Sequence, residues 1–117
     1  SRSFQTLTTD QARLLAANRE DYSDITDPSS EPRCLMCHVT ASQNPYAAWG
    51  PGVQATNEGV GCEACHGPGS AYIAPEIMTD PEEFLANGGR IPNELTCREC
   101  HRDEAFTFLE RFARIRH

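Results

Sequence analysis

The 117-residue chain contains no lysine, and all ten of its basic side chains are arginine. Against them stand 17 Asp and Glu, for a net charge of −7 at pH 7. That sign disfavours nucleic acid and anionic membranes as partners, since both carry the same charge. It suits basic redox partner proteins or the basic face of a larger complex, and it also serves plain solubility. Long apolar runs are missing too. No stretch approaches the roughly 20 residues needed to cross a bilayer, so no membrane span is expected. The opening Ser1-Arg2-Ser3-Phe4-Gln5 lacks the apolar core of a signal peptide. Apolar residues make up 38% of the chain, which gives a single domain over residues 1–117 a thin core, and small chains of that kind need staples. Nothing resembles a paired general acid and base.

What the chain does have is concentrated in six cysteines and four histidines. Gly59 to Ser70 reads Gly-Val-Gly-Cys-Glu-Ala-Cys-His-Gly-Pro-Gly-Ser, with Cys62, Cys65 and His66 forming the pattern Cys-x-x-Cys-His. The pattern recurs as Cys34-Leu35-Met36-Cys37-His38 and as Cys97-Arg98-Glu99-Cys100-His101. It is the attachment site of a c-type haem. Two cysteines three apart lie on one side of a helical turn, where both sulfurs can bond the vinyl groups of one porphyrin. The histidine that follows sits under the iron as its proximal ligand. Six cysteines could also make a disulfide framework or clasp zinc. Neither explains why each pair is followed at once by histidine.

The expectation is therefore three haem c groups on Cys34 and Cys37, Cys62 and Cys65, and Cys97 and Cys100, with His38, His66 and His101 on the irons. Three macrocycles supply the missing apolar bulk. The expected fold is mainly α, with short helices and long irregular loops wrapped around three haems and little or no sheet. Attachment of this kind takes place outside the cytoplasm, so a periplasmic or extracellular mature chain, its signal removed, is expected. Arg33, Arg98 and Arg102 flank or sit inside the motifs and are candidates to grip haem propionates, against the alternative of solvated surface arginines.

In chain order, Thr8 to Gln11 reads as a capping box for a helix with Ala12, Leu15 and Ala16 on its apolar side, ending near Arg19. Glu20 to Ser30 reads as loop, and Ser30 with Pro32 as the start of the first motif helix. Residues 39–61 carry Asn44-Pro45, Gly50-Pro51-Gly52 and Gly59, the punctuation of a long irregular connection in which Tyr46 and Trp49 pack on a macrocycle. Gly67-Pro68-Gly69 ends the second motif helix. Asp80-Pro81-Glu82-Glu83 opens another, and Gly88-Gly89 stops it. Thr96 to Glu99 reads as a capping box for the third motif helix. Phe106, Leu109, Phe112 and Ala113 recur at helical spacing, with Phe108 and Ile115 widening a stripe for packing against haem. Arg111, Arg114 and Arg116 favour the negative end of that last helix.

The segment Gly59 to Ser70 resembles the central motif of the multihaem cytochromes typified by the tetrahaem electron acceptor of hydroxylamine oxidoreductase. Tyr46-Ala47-Ala48-Trp49 is similar to a segment of the same family, and the likeness covers roughly residues 34–72. It implies closely packed haem pairs and electron transfer. It also implies distal histidines shortly after the Tyr-x-x-Trp segment and just after Gly-Pro-Gly-Ser, where this chain has Gln54 and Tyr72.

Three irons have six axial positions, and His38, His66 and His101 fill three. For the others these residues offer His117 and no lysine. Met78 and the α-amine of Ser1 are further options, whereas Met36 lies inside a motif and is badly aimed. His117 follows the aromatic stripe that docks the last helix on the haem core, and it is expected to be a distal ligand, to its own chain or to a neighbour. The alternative is a frayed end. Two function classes follow. One is electron transfer through stacked haems, in a larger multihaem chain, homo-oligomer or filament. The other is a haem enzyme or small-ligand binder with one open distal position, where Tyr72 or Gln54 would donate a hydrogen bond. Haem density favours electron transfer.

Overall fold

A computed structural model describes residues 2–40 and 58–117. Tyr46, Trp49 and Gln54, and the amine of Ser1, lie outside the described residues. Among those described there are eight short α-helices and no strand. They are α1 (Ser3–Leu7), α2 (Asp10–Ala17), α3 (Pro32–His38), α4 (Cys62–His66), α5 (Pro75–Met78), α6 (Pro81–Ala86), α7 (Glu94–Arg98) and α8 (Phe108–Phe112). A 3-10 turn at Glu20–Tyr22 breaks the stretch expected as loop.

Each helix is nucleated locally. The Thr9 hydroxyl accepts from the Ala12 amide and caps α2. Thr8 was expected in that role, but it ends α1 instead, donating its hydroxyl to the Gln5 carbonyl. α3 begins one residue later than Ser30 and Pro32 suggest. The Glu31 carboxylate accepts from the Arg33 amide, with Pro32 in the first turn, while the Ser30 hydroxyl closes the preceding turn on the Asp27 carbonyl. α6 starts as expected, with Asp80 accepting from the Glu82 and Glu83 amides over Pro81. It stops before Gly88, whose φ of +88° suits glycine. α7 is capped by Asn93, with Thr96 as the reciprocal third-residue partner rather than the cap itself. α1 and α5 are helices that the residue pattern did not indicate.

The last helix is shorter than its stripe. Phe106 is buried ahead of it, whereas Leu109 is 80% and Ile115 61% exposed, so the expected continuous docking face is split. A five-residue helix makes barely one turn and cannot bury a long stripe. The buried apolar core among the described residues is small: Leu7, Ala16, Ile25, Val39, Tyr72, Phe84 and Phe106. α1 packs on α3 and α2, and α5 on α6. Thr40, just after α3, holds the turn before α4: its hydroxyl donates to the Gly59 carbonyl (3.1 Å) and accepts from the Gly61 amide (2.7 Å).

Candidate haem-attachment sites

All three Cys-x-x-Cys-His motifs fall on short helices or at their ends, and all six cysteines are unbridged. In α3, Cys34 and His38 face a cavity of about 370 Å³ walled by Leu7, Ala12, Leu15, Ala16, Tyr22 and Ile25. An apolar cavity with one motif cysteine and an imidazole on its wall suits a macrocycle. The His38 ring is fixed from behind: its Nδ1–H donates to the Ser3 carbonyl at 2.7 Å. A carbonyl can only accept, so Nδ1 carries the proton and Nε2 keeps the lone pair for a metal. Ser3 grips the same histidine a second time, donating its hydroxyl to the His38 carbonyl (2.9 Å) and accepting from the Val60 amide (2.8 Å).

The second motif repeats the device with a different residue. His66 Nδ1–H donates to the Arg90 carbonyl (3.0 Å), and the Arg90 amide donates to the His66 carbonyl (3.0 Å). The Arg90 guanidinium also reaches back to the end of α4, donating from Nε to the Cys65 carbonyl and from Nη2 to the Ala64 carbonyl, both at 3.1 Å. A cation placed on the last carbonyls satisfies groups a helix end leaves unpaired and complements its negative pole. Gly67 ends α4 at φ +86°, and Glu63 accepts from the Gly69 amide in the turn that follows. A Cβ at residue 69 would sit 2.8 Å from that Glu63 carboxylate, which explains the glycine there.

Tyr72 is not placed as a distal donor. It is 5% exposed and its hydroxyl donates to the Gly67 carbonyl, clamping the turn. Its ring meets Phe84 edge-on at 4.7 Å, and Phe84 meets His66 at 5.9 Å. Burial, and then the Glu63 carboxylate, hold the Tyr72 hydroxyl above the usual phenol range, so it stays a donor.

The third motif differs. Among the described residues no hydrogen bond reaches the His101 ring; instead it stacks on Phe106 at 4.9 Å with the planes 10° apart. Arg98 also lies over the Phe106 ring, 4.9 Å from its centroid, and donates to the Phe106 and Asp103 carbonyls. Arg33 is likewise engaged, with Asp24 and Glu31 at 2.7 Å each. Neither therefore holds an uncommitted fork for a propionate. Arg102 donates from Nε to the Glu99 carbonyl and is exposed. Met78 ends α5 half-exposed, and Met36 is 45% exposed within α3.

The motifs converge. The Cys100 thiol has Cys37 as an electrostatic neighbour, and the Cys65 thiol has Cys97. Burial holds the Cys34, Cys65 and Cys97 thiols above the usual range. Cys100 is pushed up to about 12, first by burial and then by the neighbouring Cys37 thiol. No three or more His, Cys, Asp or Glu side chains converge on a common metal-binding point among the described residues.

Ser3 and Arg90 are the two site residues that the sequence did not reveal. They act through main-chain groups 35 and 24 residues from the histidines they hold, and no local pattern marks such a partner. His117 lies at the second motif, its ring centroid 5.8 Å from that of His66.

Comparison with known proteins gives one positive result. The family model described as cytochrome c554 and c-prime matches residues 1–67, which hold the first two motifs. No individual curated protein and no solved structure matches significantly. More than half of the chain is matched, across two motifs whose histidines present Nε2, and the chain belongs to the cytochrome c554 and c-prime family of multihaem c-type cytochromes, proteins of electron transfer with covalently bound haem c.

Proposed function

We propose that this chain carries three haem c groups in one domain over residues 1–117 and passes electrons between them and to redox partner proteins. Cys34 and Cys37, Cys62 and Cys65, and Cys97 and Cys100 would form the thioethers, with His38, His66 and His101 as proximal ligands. Bound haem iron supplies a site that gains and loses a single electron. The polypeptide does the rest. The Ser3 and Arg90 carbonyls orient His38 and His66 and make their Nε2 atoms better donors. The apolar wall beside Cys34 offers a macrocycle a surface to pack on at the first site.

The observation that carries the reading is the family match across the first two motifs, joined by a third Cys-x-x-Cys-His of the same spacing. Three haems on a chain of 117 residues would lie near one another, which electron transfer needs and isolated ligand-binding sites do not. The Tyr72 hydroxyl, bonded to Gly67, gives no support to a ligand-binding role. The acidic surface suits basic partner proteins, and thioether attachment places the working protein outside the cytoplasm. Growth into a multihaem oligomer or filament follows if a haem edge reaches the surface.

The test is intact mass under denaturing conditions together with a redox titration of the native protein. Three haem masses above the polypeptide and three one-electron components are expected. A mass gain of two haems or none would end the trihaem reading.

A further inference from the structure

Resting on the cytochrome reading, we propose that His117 is the distal ligand of the second haem in its own chain, paired with His66 across one iron. The family likeness places distal histidines elsewhere, at positions held here by Gln54 and Tyr72, and the matched region ends at residue 67. The proposal comes from the geometry at His66. The two imidazole centroids are 5.8 Å apart with planes 66° apart. Two imidazoles bonded at about 2 Å on opposite faces of one metal have centres roughly 6 Å apart. The separation is already that of an axial pair.

The protonation pattern agrees. His66 Nδ1 is committed to the Arg90 carbonyl at 3.0 Å. His117 Nδ1 faces the Ile115 carbonyl at 3.4 Å, a longer contact of the same kind. Both rings therefore direct their proton to the main chain and keep Nε2 for metal. The other ring against His66 is Phe84, which has no donor atom. Tyr72, which packs on Phe84, has its hydroxyl on Gly67.

Among the described residues, little besides the backbone turn and the His66 ring holds this position. His117 is exposed and lies beyond α8, carried there by the turn in which the Ile115 and Arg116 amides donate to the Phe112 carbonyl. An edge contact between two imidazoles is worth on the order of 1 kcal/mol, little against the entropy of ordering an exposed side chain. A bond to iron is what makes the placement favourable, and exposure leaves the His117 ring able to turn Nε2 onto it.

The experiment uses the complete haem-loaded chain. His117→Ala should convert one haem from low-spin to high-spin by electron paramagnetic resonance and magnetic circular dichroism, with added imidazole restoring it. His117→Met should keep that haem low-spin and make its potential more positive, since methionine ligation raises it. In a Cys62→Ser/Cys65→Ser background, lacking the second haem by mass, His117→Ala should change no spectrum. The low-spin signal should also survive dilution to the monomer. Unaltered spectra in haem-loaded His117→Ala would overturn the proposal while leaving the cytochrome reading intact. A high-spin signal that still appears without the second haem would assign His117 to another iron, and loss of the signal on dilution would assign it to a neighbouring chain; each overturns it. A chain without haem would overturn both readings.

Discussion

Tyr72→Phe separates a structural clamp from a distal donor. Removing the hydroxyl leaves the ring and its 4.7 Å edge contact with Phe84 in place. It takes the hydrogen bond from the carbonyl of Gly67, a buried residue, and no other donor among the described residues replaces it. Losing a bond that satisfies a buried carbonyl costs about 1–2 kcal/mol. With a urea dependence of about 2 kcal/mol/M, the unfolding midpoint should fall by about 0.5–1 M at unchanged slope. Tyr72→Ala removes the ring as well and should cost about 3–5 kcal/mol. Equilibrium unfolding of the haem-loaded protein, followed by far-ultraviolet circular dichroism and by haem absorbance, measures both. The haem spectrum and its response to added cyanide or nitric oxide should be the same in Tyr72→Phe as in the parent. A parent-like midpoint combined with altered ligand binding would refute the reasoning, because it would put the hydroxyl at an iron.

Other outcomes can be stated more briefly. The third haem should have the most positive potential, because among the described residues His101 has no carbonyl acceptor of the kind that would strengthen His38 and His66 as donors to ferric iron; Cys97→Ser/Cys100→Ser should delete the highest component of a redox titration, and deletion of a lower one would contradict this. Ser3→Ala should cost about 1–2 kcal/mol through its two lost hydroxyl bonds, yet leave the visible spectrum alone, since the acceptor for His38 is the main-chain carbonyl. Arg33 holds the Asp24 and Glu31 carboxyls below their ordinary range by hydrogen bonds. Carboxyls lowered in the folded state stabilise it above their unfolded values and lose that contribution as pH falls through the folded ones. The stability gap between Arg33→Gln and the parent should therefore close as pH drops below the ordinary carboxylate range, and a gap constant with pH would refute the assignment.

The sequence was most informative where a residue acts on its own neighbours. Asp80 with Pro81, the terminator Gly67 and the Gly88 stop all stand where local chemistry puts them. It was misleading by a residue or a few where two residues compete for one role. Thr8 and Thr9 are adjacent, and only the demand of α1 for a closing residue assigns Thr8 to that end. Asn93 stands three residues ahead of Thr96, and the stronger cap takes the position. Spacing alone singled out the six thiols and the three motif histidines as candidates. Their anchors were not legible. Nor was the commitment of Arg33 to Asp24 and Glu31, which becomes visible only when the 3-10 turn brings Asp24 back to α3.

The anchors of His38 and His66 have a consequence for how such a protein changes over generations. The acceptor in each is a peptide carbonyl, which every amino acid provides. Codon changes at positions 3 and 90 can alter the Ser3 hydroxyl or the Arg90 guanidinium without touching the proton that fixes the imidazole. Drift there is electronically silent, and aligned descendants would display no shared letter at either place. Insertions and deletions are another matter. One residue added between Gly67 and Arg90 can move the carbonyl out of reach of His66 and shift the potential of its iron. Selection on this device therefore acts through the lengths of connecting segments.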